Sequence, residues 1–184
     1  MKPVAATMTP QEAAQRLEAR KQRNAVWAGT QQRLEALGPD NSYATDLLEL
    51  ARDTDHAGRV DFRSLEEAYQ AQYLTRAGIW ENPTRGPKGS DFVSNGQMWD
   101  LKTETSTPVS HNAGYCSERM QSKIESKLSR GIYLAVDQTY LDTTDRGKLL
   151  QLIGQNSDWK GKIVIFERRA TSEMMESWKN FLKP

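Results

Sequence analysis

The chain has 184 residues, 37% apolar and 27% charged, with a mean hydropathy of −0.75. At this length roughly 70% of the extended-chain surface can be buried, so one domain with a small helical appendage needs no disulfide or metal staple. Lys and Arg number 25 against 24 Asp and Glu, a net charge of +1, which excludes attachment to nucleic acid by bulk charge and requires a local basic groove instead.

Residues 1–58 read as a helical N-terminal extension. Thr9-Pro10 opens a helix with a capping residue and proline at the first helical position. A second short segment runs from Thr30 to Leu37, where Gly38-Pro39 stops it, and a third covers Tyr43–Arg52. Residues 59–184 alternate between helix and strand. Ser64 to Ala77 is expected as a helix opened by Ser64 and stopped by Gly78. The Gly- and Pro-rich loop 81–90 leads into two strands. A polar loop (105–113), a helix (117–130), a strand (132–138), a helix near 146–154, a strand (162–167) and a last helix (172–182) complete the order. This pattern predicts an α/β fold, a mixed central sheet flanked by helices.

No apolar run approaches the ~18 residues of a membrane span, and the start, Met1–Thr7, lacks the apolar run of a signal peptide. No membrane span is expected. Cys116 is the single cysteine, so no intrachain disulfide or cysteine-based zinc site can form. With only two histidines, any metal would be held mainly by carboxylates, which points to magnesium or manganese.

The informative segment is 90–104. Asn95-Gly96 is the strongest short hairpin signal. A two-residue turn there sets Phe92 opposite Trp99 and Asp91 opposite Asp100. The pleat puts Phe92, Trp99 and Leu101 on a core face and Asp91, Asp100, Lys102 and Glu104 on the other. Two carboxylates facing each other with β-carbons about 5 Å apart destabilise a sheet unless a cation lies between them. With Lys102 on the same face, the set suits phosphodiester hydrolysis: a metal polarises the phosphoryl oxygen and activates water, and lysine offsets the developing charge. The competing view is a solvated sheet face with a salt-bridged Asp-x-Lys pair.

Asp91-x8-Asp100-Leu-Lys102, after a helix with acidic residues and before a helix and strand, resembles the PD-(D/E)XK nuclease superfamily, the restriction-endonuclease-like fold. In particular Gly89-Ser-Asp91-Phe followed by Gly96-Gln-Met-Trp-Asp-Leu-Lys102 is similar to nuclease toxin domains of bacterial polymorphic and contact-dependent inhibition systems. The resemblance covers about residues 64–167, with Gly-Ser before Asp91 where the family name has proline. It implies a domain at the tip of a larger delivered protein, acting in the cytoplasm of a target bacterium. It also implies cleavage of tRNA or DNA, and a cognate immunity protein as partner.

Family members also carry an acidic residue on the preceding helix, and here Glu66 and Glu67 offer two. Glu67 shares a helical stripe with Ala71, Leu74 and Gly78 and is placed ahead of Glu66, which is expected as a solvated first-turn charge. The expected metal ligands are thus Asp91, Asp100 and Glu67, with Lys102 catalytic. Arg119, Lys123 and Lys127 form a basic ridge on the following helix that resembles the phosphate-contacting position of related nucleases. The alternative is a solvated face balanced by Glu118 and Glu125. His111 in the polar loop is a further substrate-binding candidate. Glu104 is either a supporting base or an exposed strand-end charge, and Trp80, Trp99 and Tyr133 are either base-stacking or core residues.

Two functions from different classes follow. The first is a metal-dependent endonuclease, with RNA favoured over DNA because of the near-neutral charge and the toxin resemblance. The second is a noncatalytic nucleic-acid-binding or adaptor module on a related fold.

Overall fold

The structure, a computed structural model, describes residues 7–26, 30–53, 57–109 and 113–168. Among these the helices are α1 (Pro10–Val26), α2 (Thr30–Ala36), α3 (Ser42–Ala51), α4 (Phe62–Arg76), α5 (Ser117–Leu128) and α6 (Thr143–Gly154). The strands are β1 (Thr84–Arg85), β2 (Phe92–Ser94), β3 (Gln97–Thr105), β4 (Tyr133–Tyr140) and β5 (Ile163–Phe166). The helix expected over 172–182 lies outside the described residues. No helix among them is long and apolar enough to cross a membrane.

The strands form one mixed sheet in the order β1-β2-β3-β4-β5, the α/β architecture expected. β1 and β2 pair antiparallel, whereas β3, β4 and β5 run parallel. Asn95 (φ 53°) and Gly96 (φ 73°) both take positive φ, as a two-residue turn matching the strand twist demands. Strand β1 falls inside the expected loop, and its two residues are too few to show a period. The following Gly86 is required by close approach, because a β-carbon there would meet Ser90 Oγ at 2.3 Å.

The chain divides into two compact units, each made of two segments: Met1–Arg20 with Gln97–Glu167, and Lys21–Gly96 with Arg168–Pro184. In the first, Met120 and Ile124 of α5 and Leu149 and Leu152 of α6 pack with Leu134 and Val136 of β4 and with Trp159. The start of α1 joins this unit. Thr9 and Glu12 cap the helix reciprocally, each side chain accepting the other's backbone amide, a capping box. The Thr143 amide, which opens α6, donates to the Met8 carbonyl at 2.8 Å. Helix α6 starts three residues before the expected Arg146, because Asp142 caps it by accepting from the Asp145 amide.

Arg146 is fully buried in this unit. It donates to the carbonyls of Leu141 and Gln138 and to Glu167 at 3.1 Å. Glu167 also pairs with Arg16 of α1 at 2.9 Å. Burial pushes the Glu167 carboxyl up, yet hydrogen bonds from Arg16 and Arg146 outweigh it and hold the group below its usual range.

In the second unit, Leu34 of α2 and Ala44, Leu47, Leu48 and Ala51 of α3 pack with Leu65, Ala68 and Tyr69 of α4. Helix α4 corrects the expectation at its start. Asp61, not Ser64, is the N-cap: its side chain accepts from the Arg63 and Ser64 amides, and Ser64 Oγ accepts from the Asp61 amide. Both residues suit the cap, but only Asp61 leaves Ser64 free to complete the reciprocal pair. The shift moves Glu66 and Glu67 out of the first turn, which holds no acidic residue.

Arg146→Ala would take one hydrogen bond each from Glu167 and from the Leu141 and Gln138 carbonyls, and is expected to cost about 3–5 kcal/mol. Arg16→Ala, which removes a side chain 42% exposed, should cost under ~1 kcal/mol. Urea midpoints of the two variants measure the difference.

Candidate active site

The expected ligand and catalytic residues divide between the units. Asp100 and Lys102 belong to the first, on β3, and Glu67 and Asp91 to the second.

In the parallel register Asp100 lies beside Leu134 and Lys102 beside Val136. Parallel neighbours point to the same face, so Asp100 and Lys102 share the side on which Leu134 and Val136 meet α5. The acids of that face are covered, while Lys102 remains 27% exposed. Asp100 is 3% exposed and Glu104 4%, so the alternative of Glu104 as an exposed strand-end charge is overturned. Trp99 and Leu101, the expected core residues of the opposite face, are buried as well.

The carboxylates of this face are neutralised by lysines. Asp100 Oδ1 accepts a hydrogen bond from Lys127 of α5. Its Oδ2 lies 2.6 Å from the Lys102 ammonium, an ion pair along one strand face. Lys123, one helical turn before Lys127, donates to Glu104 at 3.0 Å. The lysines of the expected ridge therefore find partners on β3, while Glu118 and Glu125 accept from Cys116 and Gln121. Arg119 donates to the Gly114 carbonyl. His111 lies outside the described residues.

The second unit holds Glu67 against Arg85. The Arg85 guanidinium donates to Glu67 at 2.7 Å, to the Leu50 carbonyl at 2.6 Å and to the Ser64 carbonyl at 3.2 Å. It also lies 4.5 Å from the Phe92 ring centroid, a cation–π distance. Burial, then the negative charge of Asp91, push the Glu67 carboxyl up to about 7 despite Arg85, and Asp53 adds to the rise. Ala71 and Leu74 of its stripe are buried as expected. Glu66 is not a solvated charge: it is 4% exposed and pairs with Arg168 at 2.9 Å. Arg85 escaped sequence reasoning, since an arginine within a Gly/Pro loop carries no spacing signal.

The aromatic candidates are accounted for by packing. Trp80 is buried against Phe92, with centroids 5.7 Å apart. Trp99 meets Tyr133 edge-on at 5.5 Å, a favourable quadrupole arrangement.

The donor chemistry fits magnesium. The candidates are hard carboxylate oxygens, and both oxygens of Asp100 face ammonium groups, Lys127 at Oδ1 and Lys102 at Oδ2. Among the described residues no three His, Cys, Asp or Glu side chains form a ready-made cage. Magnesium is commonly held by one or two carboxylates with water filling the rest of its shell.

The Glu67 shift has a definite sign for stability. Between pH 4.5 and about 7 the folded carboxyl keeps a proton that the unfolded chain has released. Stability from this group is therefore complete below the lower value and falls as pH rises through the upper one. Glu67→Gln, which can still accept from Arg85, should flatten that fall. Relative to wild type it is expected to gain roughly 1–3 kcal/mol on going from pH 5 to pH 8, measured by urea unfolding at both values.

The chain matches no protein-family model, no curated protein and no solved structure, so the nuclease resemblance rests on the sequence motif alone.

Proposed function

We propose that the chain is a metal-dependent endonuclease toxin that hydrolyses phosphodiester bonds, in tRNA or other RNA ahead of DNA. It acts in the cytoplasm of a target bacterium after delivery as part of a larger secreted or surface protein, and a cognate immunity protein neutralises it. The observation that carries this reading is the Asp100–Lys102 pair on β3, an acid and an amine 2.6 Å apart with the acid buried. Chain-wide charge near neutrality favours a structured RNA over recognition by bulk charge.

By the sequence motif, the proposed ligands of magnesium or manganese are Asp91, Asp100 and Glu67. A bound ion would supply a Lewis acid for the phosphoryl oxygen and a water of lowered pKa. Lys102 keeps its ammonium beside Asp100 and so presents positive charge where negative charge grows on the phosphate. Glu67 supports the metal assignment by its discomfort: crowded by Asp91 and out of water, its charged form is the one a nearby cation relieves. Lys123, Lys127, Arg119 and His111 are the proposed substrate contacts.

A noncatalytic nucleic-acid-binding or adaptor module is the second reading. It is favoured by one observation: Asp100, Glu104 and Glu67 each already have a basic partner, as purely structural charges would.

Incubating the purified chain with total tRNA and with plasmid DNA, in magnesium or EDTA, separates the two. The nuclease gives discrete magnesium-dependent products from one substrate, reduced about a hundredfold or more in Lys102→Ala. If neither substrate is cut with magnesium or manganese, the catalytic assignment fails and the binding module takes its place.

A further inference from the structure

We propose that Phe62, flanked by Arg63, is a stacking platform for an unpaired base of the nucleic-acid partner. The inference rests on such a partner, which both readings above share, and adds that the partner is taken in single-stranded form.

Among the aromatic side chains whose exposure the structure describes, Phe62 alone is exposed, at 42%. The core of its unit takes Leu65, Ala68 and Tyr69 from the same helix and leaves Phe62 outside. A ring left in water forgoes the stabilisation that burial would bring. Its backbone is held firmly, because Asp61 and Ser64 cap α4 reciprocally on either side of it. A ligand that covers the ring therefore has little but the side chain itself to order.

The charge beside the ring is positive. The Arg63 guanidinium lies 5.8 Å from the Phe62 centroid, within cation–π range. The acids around it are engaged elsewhere: Asp61 accepts from two backbone amides, Glu66 pairs with Arg168 and Glu67 with Arg85. A π face with a guanidinium at its side matches a nucleotide, the ring taking the base and the cation the phosphate. An apolar protein patch would cover the ring but leave the guanidinium without an anion. Paired bases are stacked inside their helix and are closed to such a contact, so the segment recognised is unpaired. Arg63 and Glu67 are four residues apart on one stripe, about 6 Å along the helix, and Glu67 is 28% exposed. A strand held at Phe62 thus passes within one turn of Glu67.

Fluorescence anisotropy tests this in EDTA, with the full chain titrated into a dye-labelled single-stranded RNA and into the same RNA annealed to its complement. Phe62→Ala should weaken single-strand binding about tenfold and leave duplex binding unchanged. Phe62→Tyr should keep the wild-type affinity, and Phe62→Leu should lose as much as Phe62→Ala, since leucine is apolar but has no π face. Arg63→Gln should reduce the salt slope of single-strand binding by about one. The comparison of Phe62→Tyr with Phe62→Leu decides the matter if Phe62→Ala does not fold. Single-strand affinity unchanged in Phe62→Ala or in Phe62→Leu overturns the platform, as does an equal loss on the duplex; an unchanged salt slope in Arg63→Gln overturns the part given to the guanidinium. Magnesium-dependent cleavage by the wild type, with affinity unmoved in Phe62→Ala, overturns the platform and leaves the nuclease standing. Single-strand binding that falls in Phe62→Ala without any cleavage by the wild type supports the platform and overturns the nuclease. A wild type that binds neither RNA overturns the platform outright.

Discussion

A carboxylate leaves water only in the company of its counter-charge, and two of them do so on one face of β3. Removing an ion from water costs several kcal/mol even after relaxation, so the burial of Asp100 and Glu104 depends on Lys127 and Lys123. The return of the chain to a parallel β4 makes α5 run opposite to β3, and so the later lysine meets the earlier acid. The match is not one of equal spacing. Four residues advance about 6 Å along a helix and about 13 Å along a strand, and the flexible lysine stems splay to cover the difference. Arginine, with its planar head and fixed fork, would fit that splay less readily.

The same rule governs the rest of the molecule's buried charge. Arg146 is held from the α6 side by Glu167 just beyond β5, and Arg16 of α1 shares that acid. Arg85 ties the α3 and α4 backbones to Glu67 through its separate donors. In each case a long basic side chain spans elements that the apolar core alone would leave free to slide, since hydrophobic contact is non-directional.

Local chemistry was legible in the sequence, and long-range pairing was not. The Asn95-Gly96 turn could be read because its signal is two adjacent residues. Helices α1, α2, α3 and α5 begin within a residue of expectation because caps and breakers also act locally. Where two local signals compete, as Asp61 and Ser64 do, sequence alone does not choose. Asp100 and Lys102 were recognisable as an acid–amine pair two positions apart. Their burial was not, because it depends on partners 19 and 27 positions away from the acids of this strand. Glu66 was misjudged for the same reason, its partner Arg168 being 102 positions distant.

The two-segment make-up of each unit bears on how the chain is synthesised. Residues 8 and 143, hydrogen-bonded in the finished fold, are 135 positions apart, so the N-terminal segment must wait for most of the chain to emerge before it finds its place. At 5–20 residues per second that delay is on the order of 10 seconds. For that interval the polar, self-capped start of α1 stands without its partners, and its abundance of Arg, Gln and Glu suits a segment that must stay in solution until they arrive.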